Sequence, residues 1–120
     1  MLSNINDRKL LNKCYYRVSY NGIGVYEAFK NEVINKYPNG WEIWKKFKNS
    51  KHVNWLPLPK INYESGCYSY FTTVGYLKFK KETLPLIEEY LDKSKIKTEI
   101  VTNLSGKIVY LDKYQIVIKL

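Results

Sequence analysis

Hydrophobic and polar positions recur at two periods along this chain. Over residues 13–20 the run K-C-Y-Y-R-V-S-Y is rich in aromatic and β-branched residues and alternates at period two, as a half-buried strand does. Cys14, Tyr16, Val18 and Tyr20 fall on one face; Tyr15, Arg17 and Ser19 fall on the other, so Arg17 is expected on the more polar side. Asn21-Gly22 signals a tight turn. The period then lengthens to that of a helix. Val25, Phe29 and Val33 or Ile34 share a face, Ala28 permits close approach, and Pro38-Asn39-Gly40 ends the element. Residues 41–51 predict a second, short helix with Trp41, Trp44 and Phe47 in the core and Lys45, Lys46 and Lys48 mostly outside.

Pro57 and Pro59 exclude helix interior, so residues 52–63 are expected to be extended. Residues 67–72 read as a strand with Tyr68, Tyr70 and Thr72 alternating against Cys67, Ser69 and Phe71. Thr73 and Thr83 are candidate helix caps, the second with Pro85 in its first turn and Leu84, Ile87 and Leu91 as a buried stripe. The segment is either one kinked helix or two. Residues 97–102, 107–111 and 114–119 are β-prone, with turns at 103–106 and at Asp112-Lys113. Strands at both ends with helices between them predict an α+β fold with a mixed or antiparallel sheet and two to four helices. The 120 residues fit a single domain, with residues 1–12 as a flexible N-terminal arm.

Charge changes this picture. The formal net charge is +9, which suits an anionic partner, either nucleic acid or an acidic protein surface. Only two of the 20 basic residues are arginine, Arg8 and Arg17. Lysine is the ordinary solvated surface cation, whereas arginine forks onto phosphates and guanines. The abundance of Lys, Asn, Ile and Tyr also matches the codon usage of an AT-rich genome, so the charge has a purely compositional reading as well. The cations that lie among aromatics are Lys45, Lys46, Lys48, Lys51 and Lys60, with Trp41, Trp44 and Trp55 beside them; these lysines and Trp55 are the candidate ligand-binding residues. No apolar run is long enough to span a bilayer and no leader pattern opens the chain, which leaves the cytoplasm as the expected location and no membrane partner.

Catalytic chemistry is sparse. Cys14 and Cys67 have no metal or redox spacing, and one histidine, His52, builds no usual zinc site, so neither a metal nor a cofactor is expected. Cys67 with His52 is a nucleophile–base pair only if the fold brings them together and a third group orients the imidazole. The expectation is a small non-catalytic binding protein of the kind accessory or mobile-element genes encode.

One arrangement points elsewhere. Tyr16-Arg17-Val18 early, Ser69-Tyr70-Phe71-Thr72-Thr73 in the middle and Asp112-Lys113-Tyr114-Gln115 late resemble the order of motifs in ADP-ribosyltransferase-like folds. The resemblance implies NAD as cofactor. Arg17 would hold its phosphate or ribose, Ser69 would support the nicotinamide pocket and Tyr70 would stack on the ring. Gln115 stands where the family's catalytic glutamate would be, and Glu99 could serve only from a matching strand. It requires Arg17, Ser69 and Gln115 to converge on one concave site.

Overall fold

The computed structural model describes residues 13–59 and 66–120; the expected N-terminal arm and Lys60 lie outside the described residues. The fold is α+β with an antiparallel sheet. Its strands are β1 (Tyr15–Tyr20), β2 (Ile23–Gly24), β3 (Cys67–Phe71), β4 (Ile96–Val101), β5 (Lys107–Leu111) and β6 (Gln115–Lys119), in the order β2-β1-β3-β6-β5, with β4 also pairing β1. The chain forms two compact units. The first contains residues 13–17, 59, 66–76 and 100–120 of those described, and the second contains residues 18–58 and 77–99.

In the first unit β3 pairs with β1 through Tyr16 and Phe71, and with β6 from Cys67 opposite Lys119 to Phe71 opposite Gln115. Gln115 to Ile118 are all buried. Tyr15, Ile116 and Ile118 form a core against which Tyr70 and Leu104 pack. The β5–β6 turn is built on Asp112, whose carboxylate accepts hydrogen bonds from the Tyr110 hydroxyl (2.6 Å) and the amides of Tyr114 (2.7 Å) and Gln115 (2.9 Å). Burial pushes this carboxyl up, but the hydrogen bonds prevail and hold it below its ordinary value. Thr72 ends β3 and opens the next helix. Its hydroxyl donates to the Lys113 carbonyl (2.7 Å) and accepts from the Gly75 amide (3.1 Å). Thr72, not Thr73, is therefore the cap, because only its hydroxyl reaches an amide of the first turn. The rings of Tyr16 and Tyr76 stack at 4.3 Å.

In the second unit the Asn21-Gly22 turn joins β1 to β2, with both φ values positive (51° and 84°), as a two-residue hairpin loop requires. Helix α1 (Val25–Lys36) buries Val25, Ala28, Phe29 and Val33, the face expected from the period. Helix α2 (Gly40–Lys48) follows almost at once. Their contact is aromatic: Phe29 lies 4.2 Å from Phe47 and 6.3 Å from Trp44, ring centre to ring centre, and Tyr90 closes on Phe29 edge-on at 5.5 Å.

One uninterrupted helical run joins α3 (Thr73–Lys78), a π segment (Phe79–Thr83) and α4 (Leu84–Ile87), so there is one helix rather than two. The Leu84 amide donates to the Phe79 carbonyl five residues back. Phe79, Thr83, Ile87 and Leu91 are all buried to 3% exposure or less, a stripe that steps by four. Four α-helical residues overshoot one turn by about 40°. The wider π turn removes part of that drift and keeps Phe79 and Thr83 on one line. Thr83 is thus fully buried inside the run and caps nothing. The expectation of an extended chain from residue 52 also fails at its start. Residues 51–55 fold as turns, with Val53 and Asn54 donating to the Ser50 carbonyl at 3.0 and 2.8 Å. The prolines restrain only themselves and the residues just before them, so their influence does not reach this far back.

Candidate binding surface

Helix α2 begins at Gly40, and that start decides which residues face in. Gly40 and Phe47 are buried, and Ile43 and Trp44 are half-buried, one step of three or four apart. Trp41 is one residue off this line, about 100° around the helix. It is 58% exposed, so the expectation that it joins the core is corrected. Lys45 and Lys48 follow Trp41 at i+4 and i+7 and form an exposed stripe with it. Lys46 is exposed on the opposite flank, about 140° around the helix from Trp41, and Lys51 is exposed in the turn beyond.

The neighbouring helix adds a cation that the linear pattern did not reveal. Lys30 of α1 carries its ammonium 5.8 Å from the Trp41 ring centre and 5.5 Å from that of Trp44, and Lys48 lies 6.0 Å from Trp44. Each such contact contributes about 0.5–1 kcal/mol at an exposed site. Lys45, Lys46 and Lys48 occupy the last turn, where the helix dipole favours cations. None of Lys45, Lys46, Lys48 and Lys51 pairs with a carboxylate among the described residues; the ion pair on α1 is Lys36 with Glu32.

Trp55, also expected at the surface, is half-buried and committed to the fold. Its indole N–H donates to the His52 carbonyl (2.9 Å) and to the Thr83 hydroxyl oxygen (3.1 Å), and Lys78 stands 5.2 Å over its ring. The Thr83 hydroxyl donates to the same His52 carbonyl at 2.6 Å. The His52 imidazole Nδ1 meets Glu82 Oε2 at 2.8 Å, and that bond, with help from Lys81 and Lys78, holds the Glu82 carboxyl below its ordinary value. The π segment therefore ties down the 51–55 turn through two adjacent residues, Glu82 and Thr83. Beneath it the Tyr26 hydroxyl is buried without a hydrogen-bond partner. Burial pushes that phenol well above its usual range, and the nearby Thr83 hydroxyl relieves this only in part.

His52 belongs to the second unit and Cys67 to the first, and the group that orients the imidazole is Glu82. In the first unit the strand register separates the remaining candidates. Tyr16, Phe71 and Gln115 are cross-strand partners, so Ser69 and Gln115 share their face of the sheet. Arg17 points to the other face, with its guanidinium 5.4 Å over the Tyr68 ring. That face is not the polar one expected for Arg17: Tyr15 on it is 4% exposed and lies in the core with Ile116 and Ile118. Tyr70 packs on that core, Ser69 is exposed, and Gln115 is buried with its amide donating to Asp112 at 3.3 Å. Arg17, Ser69 and Gln115 do not converge. A cleft of about 370 Å³ does open in this unit, between Lys13, Cys14, Val74, Leu111 and Lys113, and none of Arg17, Ser69, Tyr70 and Gln115 lines it. Among the described residues no three His, Cys, Asp or Glu side chains gather as a metal site, and no helix is long and apolar enough to cross a membrane. No protein-family model, curated protein or solved structure matches this chain.

Proposed function

We propose that this protein is a non-catalytic binding protein that engages an anionic macromolecule through the exposed flank of α2. The observation that carries this is the exposed stripe of Trp41, Lys45 and Lys48, with Lys46 and Lys51 also exposed elsewhere on α2 and in the turn beyond, and none of the four lysines paired with a carboxylate among the described residues. Unpaired lysines on a rigid helix attract polyanions at long range and release counterions on binding. The free thiols Cys14 and Cys67 accord with work in the reducing cytoplasm.

The test is a titration of the full chain with polyglutamate and with an oligonucleotide over a range of salt. Binding to at least one is expected at low salt, weakening steeply as salt rises. The double variant Lys45→Glu/Lys48→Glu is expected to lose most of it. Affinity that is absent at low salt, indifferent to salt or unchanged in that variant would refute the proposal.

A further inference from the structure

We infer that the anionic partner is single-stranded nucleic acid, one base of which stacks on Trp41 while Lys30, Lys45 and Lys48 hold the flanking phosphates. The inference rests on the proposed function and adds the chemistry of the ligand. Three features of the surface carry it.

Trp41 is a large aromatic left 58% exposed on a helix whose other aromatics are packed. An acidic peptide would satisfy the lysines and leave this ring without a counterpart. A nucleobase supplies the flat apolar face that covers it, while the phosphates take the cations. Duplex DNA supplies the phosphates but keeps its base faces stacked inside, so only an unpaired base can reach the indole.

The cations are set around the ring rather than at random. Lys45 and Lys48 lie about 6 and 10 Å along the helix from Trp41 by their spacing in sequence. Lys30 approaches from the adjacent helix and stands over both indoles. A strand laid across Trp41 therefore meets ammonium groups from two helices.

The second unit contains no arginine. Arginine and lysine both read guanine edges, but bidentate fork recognition is an arginine property. A surface of lysines and one indole holds backbone and base faces, and both are common to all sequences. Binding is accordingly expected to be tolerant of sequence.

The experiment uses the full chain with fluorescently labelled oligothymidylate and oligoadenylate, a duplex of mixed sequence, and polyglutamate. Both oligonucleotides are expected to bind at low salt and to quench tryptophan fluorescence. If three phosphates are neutralised, log K should fall against log salt with a slope of about −2. Trp41→Ala is expected to weaken oligonucleotide binding about tenfold or more, a loss within the range known for base–aromatic stacking, and Trp41→Phe to restore part of it. Because Trp41 is exposed, the truncation leaves the core intact; an unchanged melting temperature verifies this. Polyglutamate binding without oligonucleotide binding overturns the inference while the proposed function stands. Duplex binding as tight as single strand, or oligonucleotide binding indifferent to Trp41→Ala, also overturns it. No binding to any polyanion ends both.

Discussion

Replacing Gly40 by alanine sets helix propensity against packing, and the two predict opposite signs. Alanine in place of glycine favours a helix by up to about 1 kcal/mol. At Gly40, however, an added Cβ would press on the last turn of α1. It would overlap the Val33 carbonyl oxygen and stand 2.6 Å from Ile34 Cα and 2.7 Å from the Val33 carbonyl carbon. All three are backbone atoms, so no side chain can swing away. Either α2 retreats by about 1 Å or α1 deforms, and overpacking of this kind costs about 1–3 kcal/mol or more. The retreat also stretches the bond from the Gly40 amide to the Tyr37 carbonyl, now 3.0 Å, worth about 1 kcal/mol net. Set against the propensity gain, the expected sum is a loss of about 1–4 kcal/mol, or on the order of 10 °C in melting temperature. Gly24→Ala is the control, since nothing lies within 4 Å of its Cβ and its φ is −58°. As the N-cap of α1 it loses a little capping preference while the unfolded chain loses freedom, so the two terms nearly cancel and stability should change by less than about 1 kcal/mol. Urea unfolding followed by tryptophan fluorescence reads both. A Gly40→Ala protein as stable as the parent would refute the close approach of the two helices. An equal loss in Gly24→Ala would trace the effect to something other than packing.

Thr83→Val should destabilise by about 1 kcal/mol and no more, because the His52 carbonyl and the Trp55 indole N–H still bond each other after the hydroxyl is gone; urea midpoints measure it, and a loss above about 3 kcal/mol would contradict this bonding pattern. Tyr26→Phe removes a buried hydroxyl that has no partner and should be neutral or stabilising. Because burial raises the Tyr26 phenol, its contribution to stability is complete below the ordinary phenol range and is lost as pH rises through its elevated value, so Tyr26→Phe should also resist alkaline unfolding better in a pH-jump melt. The depressed Asp112 carboxyl has the opposite sign: its contribution is present above the ordinary carboxylate range and fades as pH falls below it. Asp112→Asn should therefore lower stability at neutral pH and flatten its acid limb, as read from urea midpoints at successive pH values.

The sequence was most legible where one local rule decides. Asn21-Gly22 had a single favoured turn, and the α1 stripe of Val25, Ala28, Phe29 and Val33 followed from the helical period alone. Trp41 was misjudged because the helix begins at Gly40, and the direction of each indole depends on that phase as well as on hydrophobicity. Thr83 carried the signature of a cap, a threonine with proline two residues on, yet the π segment kept the helix going and turned the hydroxyl inward. Arg17 was misplaced because Tyr15, counted with it on the polar side, is core. Tyrosine belongs to either environment, and only the pairing of β1 with β3 chooses. Lys30 and Glu82 could not have been singled out, since their partners lie 11 or more residues away in sequence and meet them only through tertiary packing.

The π segment has a consequence for how this helix tolerates changes of length. Elsewhere in an α-helix, deleting one residue rotates everything beyond it by about 100° and would turn Ile87 and Leu91 out of the core. Within Phe79–Thr83 the chain already holds one residue more than an α-turn needs. Loss of the exposed Lys80 or Lys81 would let the wide turn tighten into an ordinary one while the downstream stripe keeps its heading. The stretch that anchors the 51–55 turn is thus also the stretch of this helix where a one-residue deletion can be absorbed.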